Sequence, residues 1–146
     1  MNNSLRSSAA FSLVEVTLAL GIAAFCLIAV IGLVPVAALT NRNATSQTAA
    51  TNVIASVIAD MRATTSSTSP QYGITFGTAK TLYFDGAGQF ATSLGANSRY
   101  RVSITFPSSP SGLSYADVKA TWPAPVDPAT TTPSGSVEIF AAFDRN

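Results

Sequence analysis

The side chains that most often carry out chemistry in proteins are scarce in this 146-residue chain. It contains no histidine and one cysteine, Cys26, which lies among apolar residues. Zinc sites, nucleophile pairs that use histidine, and intrachain disulfides are therefore ruled out. The acidic residues beyond position 59 form no recognisable acid–base or metal-ligand motif: Asp60, Asp85, Asp117, Asp127, Glu138 and Asp144. The sequence predicts no catalytic residue, no metal site and no cofactor.

Two weaker patterns have plain structural interpretations. The run Asp85-Gly86-Ala87-Gly88 is similar to part of a calcium-binding turn, but it lacks the several oxygen ligands that calcium takes at defined spacing. We interpret it as a hairpin turn. Arg99, Arg101 and Lys119 fall on one side of predicted strands, yet no aromatic residues interleave with them. We interpret these basic residues as a solvated sheet surface, and nucleic acid is not a predicted partner.

One carboxylate differs from the others in its surroundings. Between Arg6 and Arg42, the only ionisable side chains are Glu15 and the thiol of Cys26. An acidic side chain in an apolar membrane segment costs about 2.5–3.5 kcal/mol on insertion scales, so such a residue is a candidate functional site with a partner to be named. Arg6 is nine residues away, beyond the reach of a helical ion pair. A cut before Phe11 would instead create an amino group four residues before Glu15.

The element that carries Glu15 is predicted to be a membrane helix. The chain is 47% hydrophobic and only 10% charged, against roughly 25% charged in ordinary soluble domains. The 24 uncharged residues from Val16 to Leu39 would form a helix of about 36 Å, enough to cross a hydrocarbon core of about 30 Å. Gly32 and Pro35 predict a bend or local melting within it. A signal peptide cut before Leu39 is the alternative, although this segment is longer than usual for one and carries Glu15.

Beyond Leu39 the pattern predicts an amphipathic helix. Apolar residues recur at helical spacing in one stripe: Ala50, Val53, Ile54, Val57, Ile58 and Met61. If this helix continues the membrane helix, Phe11 to Met61 is 51 residues, or about 77 Å. Two helices separated at Thr40–Asn43 are the alternative.

The C-terminal half alternates with a period of two and is predicted to form half-buried strands. The alternating apolar sets are Tyr100, Val102, Ile104 and Phe106; Val118, Ala120 and Trp122; and Val137, Ile139, Ala141 and Phe143. Leu82–Phe84 and Gln89–Ala91 flank the predicted hairpin turn, and Ile74–Phe76 is a further short strand candidate. We expect an antiparallel sheet packed on the helix stripe, an α+β fold. The proline-rich stretch from Trp122 to Gly135 is either an interaction surface or a plain exposed linker.

The run from Ala10 to Leu20, Ala-Phe-Ser-Leu-Val-Glu-Val-Thr-Leu-Ala-Leu, resembles the processing and assembly signal of type IV pilins and type II secretion pseudopilins. The resemblance implies that a prepilin peptidase removes a leader at residues 1–10, cutting between Ala10 and Phe11, and that the amino group of Phe11 is N-methylated. It also implies that Glu15 attracts the amino terminus of a neighbouring subunit during assembly. The family usually has glycine before the cut, where this chain has Ala10.

The same resemblance implies a layout and a location. A transmembrane and assembly helix would occupy residues 11–39, its amphipathic continuation 40–62 and a β-rich head 63–146. The chain would cross the bacterial inner membrane once with its head extracytoplasmic, in contact with lipid, and then enter a periplasmic pseudopilus or an extracellular pilus. Its other partners would be pilin or pseudopilin subunits and an assembly-platform membrane protein. Glu-Val followed by Leu-Ala-Leu-Gly, and the lack of a C-terminal cysteine pair, resemble minor components. A membrane-anchored or signal-peptide-released binding module is the alternative function.

Overall fold

The computed structural model describes residues 12–107 and 113–144. One helix, α1 (Leu13–Ala63), precedes five strands: β1 (Lys80–Asp85), β2 (Phe90–Ala91), β3 (Ser98–Thr105), β4 (Leu113–Trp122) and β5 (Gly135–Asp144). The expected α+β layout, a long N-terminal helix followed by a small antiparallel sheet, is confirmed. The chain divides into two compact units, one ending at Asn41 and the other beginning at Arg42.

In the first unit, α1 begins directly after Ser12, whose carbonyl accepts the backbone N–H groups of Glu15 and Val16 at 3.0 and 3.1 Å. Every residue of this part of the helix is exposed. It is long and apolar enough to cross a membrane. The helical assignment runs through Gly32 and Pro35 and on through Thr40–Asn43. It therefore favours one helix over two, and it shows no local melting at Pro35; the bend there stays a prediction.

In the second unit, α1 buries the predicted stripe. Its apolar members, all nine-tenths or more buried, are Ala50, Val53, Ile54, Val57, Ile58 and Met61. They form a core with inward-facing residues of the sheet, among them Leu82, Phe84, Tyr100, Val102, Ile104, Val118 and Phe143. The stripe positions recur on one side of a 3.6-residue helix, so a single helix face covers one face of the sheet.

The sheet has the order β2-β1-β3-β4-β5, and all neighbouring strands are antiparallel. β4 and β5 pair along their whole length, from Leu113 opposite Asp144 to Trp122 opposite Gly135. A Cβ at position 135 would overlap the Trp122 indole ring, so glycine is needed where this side chain crosses the partner strand. The predicted alternation of inward and outward residues is confirmed in β3 and β5, and in β4 as far as Ala120. Thr121, predicted to be outward, is buried.

The segment from Ile74 to Phe76 is not a strand, contrary to the sequence-based prediction. Only an isolated bridge joins Thr75 to Thr68. Glycines with positive φ stand on both sides, Gly73 at 59° and Gly77 at 83°, and such left-handed residues turn the chain away from extended pairing. Ile74 is nevertheless fully buried. Its apolar character therefore reflects burial in a loop.

The run Asp85–Gly88 forms a hairpin turn, as interpreted from the sequence. The Gly88 N–H donates to the Asp85 carbonyl at 3.2 Å, and Gly88 has a φ of 79°. The Asp85 carboxylate accepts the backbone N–H groups of Ala87 and Gln89 at 2.9 and 2.8 Å. This carboxylate therefore stabilises the turn from within.

Candidate functional site

Glu15 lies in the first turn of α1 with its side chain exposed. Its helical neighbours are apolar and also exposed; Leu13 is 82% exposed. Within residues 12–107 and 113–144, no basic side chain forms an ion pair with Glu15. The first turn carries the positive end of the helix dipole, which favours a carboxylate there by about 0.3–1 kcal/mol. The geometry therefore presents one negative charge at the beginning of an exposed apolar helix.

The other predicted site residues of the first unit are Ala10, Phe11, Gly32 and Pro35. Ala10 and Phe11, the predicted cleavage and methylation positions, lie outside the described residues, as does the predicted leader. Gly32 and Pro35 are helical and exposed, and a side chain at position 32 would meet no atom within 4 Å. Cys26 is an exposed thiol on the same helix. Among the described residues, the structure therefore places Glu15 on α1 without bringing Gly32, Pro35 or Cys26 to it.

The three basic residues interpreted as a solvated surface are each engaged within the second unit. Arg99 donates to the Ser46 hydroxyl of α1 at 2.9 Å, and Lys119 pairs with Glu138 at 2.8 Å. Arg101, only 14% exposed, pairs with Asp127 at 3.3 Å and lies 5.7 Å from the centre of the Tyr83 ring. The solvated-surface interpretation is wrong for Arg101, because its charge is used inside the head.

These contacts of Arg101 hold the proline-rich stretch against the sheet. Arg101 Nε donates to the Ala124 carbonyl at 3.1 Å, and the Ala124 N–H donates to the Arg99 carbonyl at 2.9 Å. Ala124 is fully buried. The beginning of the stretch is thus packed on β3, which contradicts a plain exposed linker for that part. The interaction surface stays a prediction.

The sequence did not single out the environments of two carboxylates, Asp60 and Asp117. Asp60 is buried, and its two oxygens accept the backbone N–H groups of Gln71 and Tyr72 at 3.3 and 3.2 Å. It fastens the loop after α1 to the helix. A signal was present, because Asp60 falls three residues after Val57, beside the apolar stripe, where an ionised side chain needs a partner.

Asp117 is the second of these carboxylates. Burial, and next the negative charge of Glu138, raise its pKa above the usual 3.8, while Lys119 opposes the shift. Its Oδ1 atom is buried without a hydrogen-bond partner in the described structure. Lys119 shares a strand face with Asp117, but only the strand register brings Glu138 to this place, so no sequence signal marked the interaction of the two carboxylates.

In the part of the chain that the structure describes, no three histidine, cysteine or acidic residues group as metal ligands. The described structure thus has one carboxylate, Glu15, in the first turn of α1 and an apolar core in the second unit. Comparison of this chain with protein-family models, with curated proteins and with solved structures finds no match.

Proposed function

We propose that this chain is a structural subunit of a type IV pilus or a type II secretion pseudopilus, most similar to the minor components. The observation that carries the proposal is the exposed Glu15 carboxylate in the first turn of an exposed apolar helix. Such a helix requires an apolar environment, and the carboxylate requires a cation when water is removed. The resemblance of residues 10–20 to the prepilin signal implies that this cation is the amino group at the processed N-terminus of a neighbouring subunit.

In this proposal, a prepilin peptidase cuts between Ala10 and Phe11, and Phe11 is N-methylated. The apolar part of α1 rests in the inner membrane until subunits associate with the help of an assembly-platform membrane protein. Pairing of Glu15 with the amino terminus of another subunit fixes the register between them. Contacts that do not close into a ring then extend as a helical filament.

The proposed role is assembly, and it involves neither catalysis nor a cofactor. The absence of histidine from the sequence supports this part of the proposal, as does the engagement of Arg99, Arg101 and Lys119 by other groups of the head, which leaves little basic surface for nucleic acid. The low overall charge is in keeping with a subunit that packs among neighbours.

The mature amino terminus tests the proposal. The full chain is produced in a bacterium that has a prepilin peptidase, and its N-terminal peptide is identified by mass spectrometry. We expect N-methylated Phe11. An N-terminus at Leu39 would instead indicate a domain released by signal peptidase, and an intact Met1 would indicate an anchored binding module. Either of those results would overturn the proposal.

A matched pair of variants makes this test sharper. Phe11 processing should be lost when Ala10 is replaced by a bulky residue, as in Ala10→Leu, because the cut needs a small residue at that position in the resembling family. Ala9→Leu, one position earlier, should still be processed. Equal processing of both variants would contradict a cut at Ala10.

A further inference from the structure

The two edges of the sheet are built differently. β2, at one edge, has only two residues, whereas β5, at the other, has ten. Neither a proline nor a lysine occurs within β5, and its pairing with β4 contains no register shift. Natural sheets protect their edges with short strands, prolines, lysines or bulges, because an open edge pairs with other chains. Within residues 12–107 and 113–144, one edge of this sheet is protected in that way and the other is not.

The core is also incompletely covered along β5. The inward residues Val102 and Val118, on β3 and β4, are fully buried. On β5, by contrast, Val137 and Ile139 are only partly buried, although they face the same core. On the opposite face of the same strand, Phe140 is 69% exposed. The apolar surface of β5 thus extends beyond what the described residues cover.

An apolar groove runs beside this strand, between α1 and β5. It has a volume of about 620 Å³ and is lined by Ala55, Ile58, Ala59, Arg62, Ala63 and Ile139. The small side chains of Ala55, Ala59 and Ala63 recur every four residues and leave the space open. A strand added to β5 would place alternate side chains on the side of the sheet where this groove lies.

Arg62 gives the groove a charge. Across residues 12–107 and 113–144, the two ion pairs are Arg101–Asp127 and Lys119–Glu138, and neither involves Arg62. A guanidinium at the border of an apolar groove favours a carboxylate, with which it forms charge-assisted hydrogen bonds.

We propose that β5 and the adjoining groove bind an extended segment of a partner protein, which adds a sixth strand to the sheet. The segment has apolar residues at alternate positions that fill the groove, and one carboxylate that pairs with Arg62. Backbone hydrogen bonds to β5 supply affinity, while the groove and Arg62 supply specificity, as in other cases of strand addition. This inference goes beyond filament assembly through Glu15 and does not rest on it.

A second copy of this chain is a weaker occupant than such a segment. Pairing of β5 with β5 of another copy in an antiparallel manner would bring two Arg62 residues to the same interface without adding a carboxylate on the groove side. Glu138 of β5 does not serve there, because it is on the outward face, where it pairs with Lys119.

The test uses the full chain in lipid nanodiscs and a fluorescent octapeptide of alternating threonine and valine, in which one terminal valine is replaced by glutamate. Binding is followed by fluorescence anisotropy, and amide hydrogen exchange is measured along β5. We expect saturable binding that protects the β5 amides not bonded to β4. The same peptide with a central proline should bind about tenfold more weakly or worse, because it lacks a backbone donor.

Variants of the groove locate the site. Ala59→Arg fills the groove from an exposed helix position and should weaken binding by about tenfold, a difference of about 1.4 kcal/mol. Thr51→Arg, exposed on α1 and absent from the groove lining, is the matched control and should bind normally. Arg62→Glu should lower affinity for the glutamate peptide and raise it for a lysine counterpart.

Several results would overturn the inference. These are the absence of saturable binding, equal binding of the proline peptide, and unchanged binding by Ala59→Arg. Concentration-dependent protection of β5 without peptide would assign the edge to a second copy and would equally overturn it. None of these outcomes alters the processing at Phe11, so failure here is distinguishable from failure of the proposed function.

Discussion

The helix α1 contains two stretches that differ in how far their large apolar side chains are exposed. From Leu13 to Asn41, every residue is exposed, including the large apolar ones. From Arg42 to Ala63, the large apolar residues lie on one side and are buried against the sheet, whereas several alanines on other sides stay exposed. The same secondary structure thus serves two environments. The second stretch helps to form an apolar core with the sheet, whereas the large apolar side chains of the first stretch are left uncovered by the described residues.

The largest expected effect comes from truncating the same residue type in both stretches. Ile54 is fully buried and Ile28 is 70% exposed. Ile54→Ala should lower the free energy of unfolding of the head by about 2–5 kcal/mol, because it removes buried methyl groups and leaves a cavity. Ile28→Ala should leave that free energy unchanged. Both are measured by denaturant unfolding of the full chain in detergent, followed by Trp122 fluorescence. Equal losses would contradict the division between the two stretches.

The next effect concerns how the head is attached to its part of α1. Asp60→Ala removes the acceptor of the Gln71 and Tyr72 N–H groups. Hydrogen bonds to charged groups contribute about 1.5–3 kcal/mol, so the variant should lose about 2 kcal/mol of stability. Asp60→Asn keeps one acceptor oxygen and should lose less. If the two variants unfold alike, the carboxylate is not the attachment of this loop.

A smaller effect, seen in assembly instead of unfolding, is expected at the first turn. Glu15→Ala should still insert in the membrane and be cleaved, but should enter filaments about tenfold less, equivalent to about 1.4 kcal/mol. The head should unfold as in the unmodified chain. Thr17→Ala is the control, because Thr17 is exposed nearby and its hydroxyl bonds only within the helix, to the Val14 carbonyl. Filament yield is measured by shearing and immunoblotting; normal incorporation of Glu15→Ala would refute the pairing.

The smallest effect is a pH dependence confined to the head. Burial and Glu138 raise the pKa of Asp117, so the folded state holds this proton more tightly than the unfolded state does. Its contribution to stability is present below about pH 3.8 and is lost as pH rises through the raised pKa. Asp117→Asn should therefore be more stable than the unmodified chain at pH 7, and this advantage should disappear near pH 3. Thermal unfolding of both chains between pH 3 and pH 7 measures the difference in stability. A difference that does not change with pH would exclude ionisation of Asp117 as its cause.

Much of the fold could be predicted because it depends on local periodicity. The stripe from Ala50 to Met61 and the alternation in β3, β4 and β5 follow directly from the positions of apolar residues. Ile74–Phe76 could not be predicted correctly, because an apolar triplet is compatible with a strand or with a buried loop. The conformation of this triplet depends on Gly73 and Gly77, which have positive φ angles. Glycine permits such angles but does not require them, so the sequence alone does not decide between strand and loop.

The candidate site was predictable to a similar extent. Glu15 was identified because a lone carboxylate in an apolar segment is unusual in any fold. The environments of Arg101, Asp117 and Arg62 were not predictable, since each is created by residues distant in the chain. Arg101 meets Asp127 across 26 positions, and the groove at Arg62 is completed by Ile139.

By itself, the sequence determined that one carboxylate lies at the beginning of a long apolar helical segment and that an alternating β-rich region follows. Those properties depend on spacing and on transfer free energies, which need no knowledge of long-range contacts. Only the tertiary structure decided the strand order, and with it the unprotected β5 edge and its groove. Strand order depends on pairings between residues far apart in the chain, and the energy of each pairing depends on packing against neighbouring strands and on the helix.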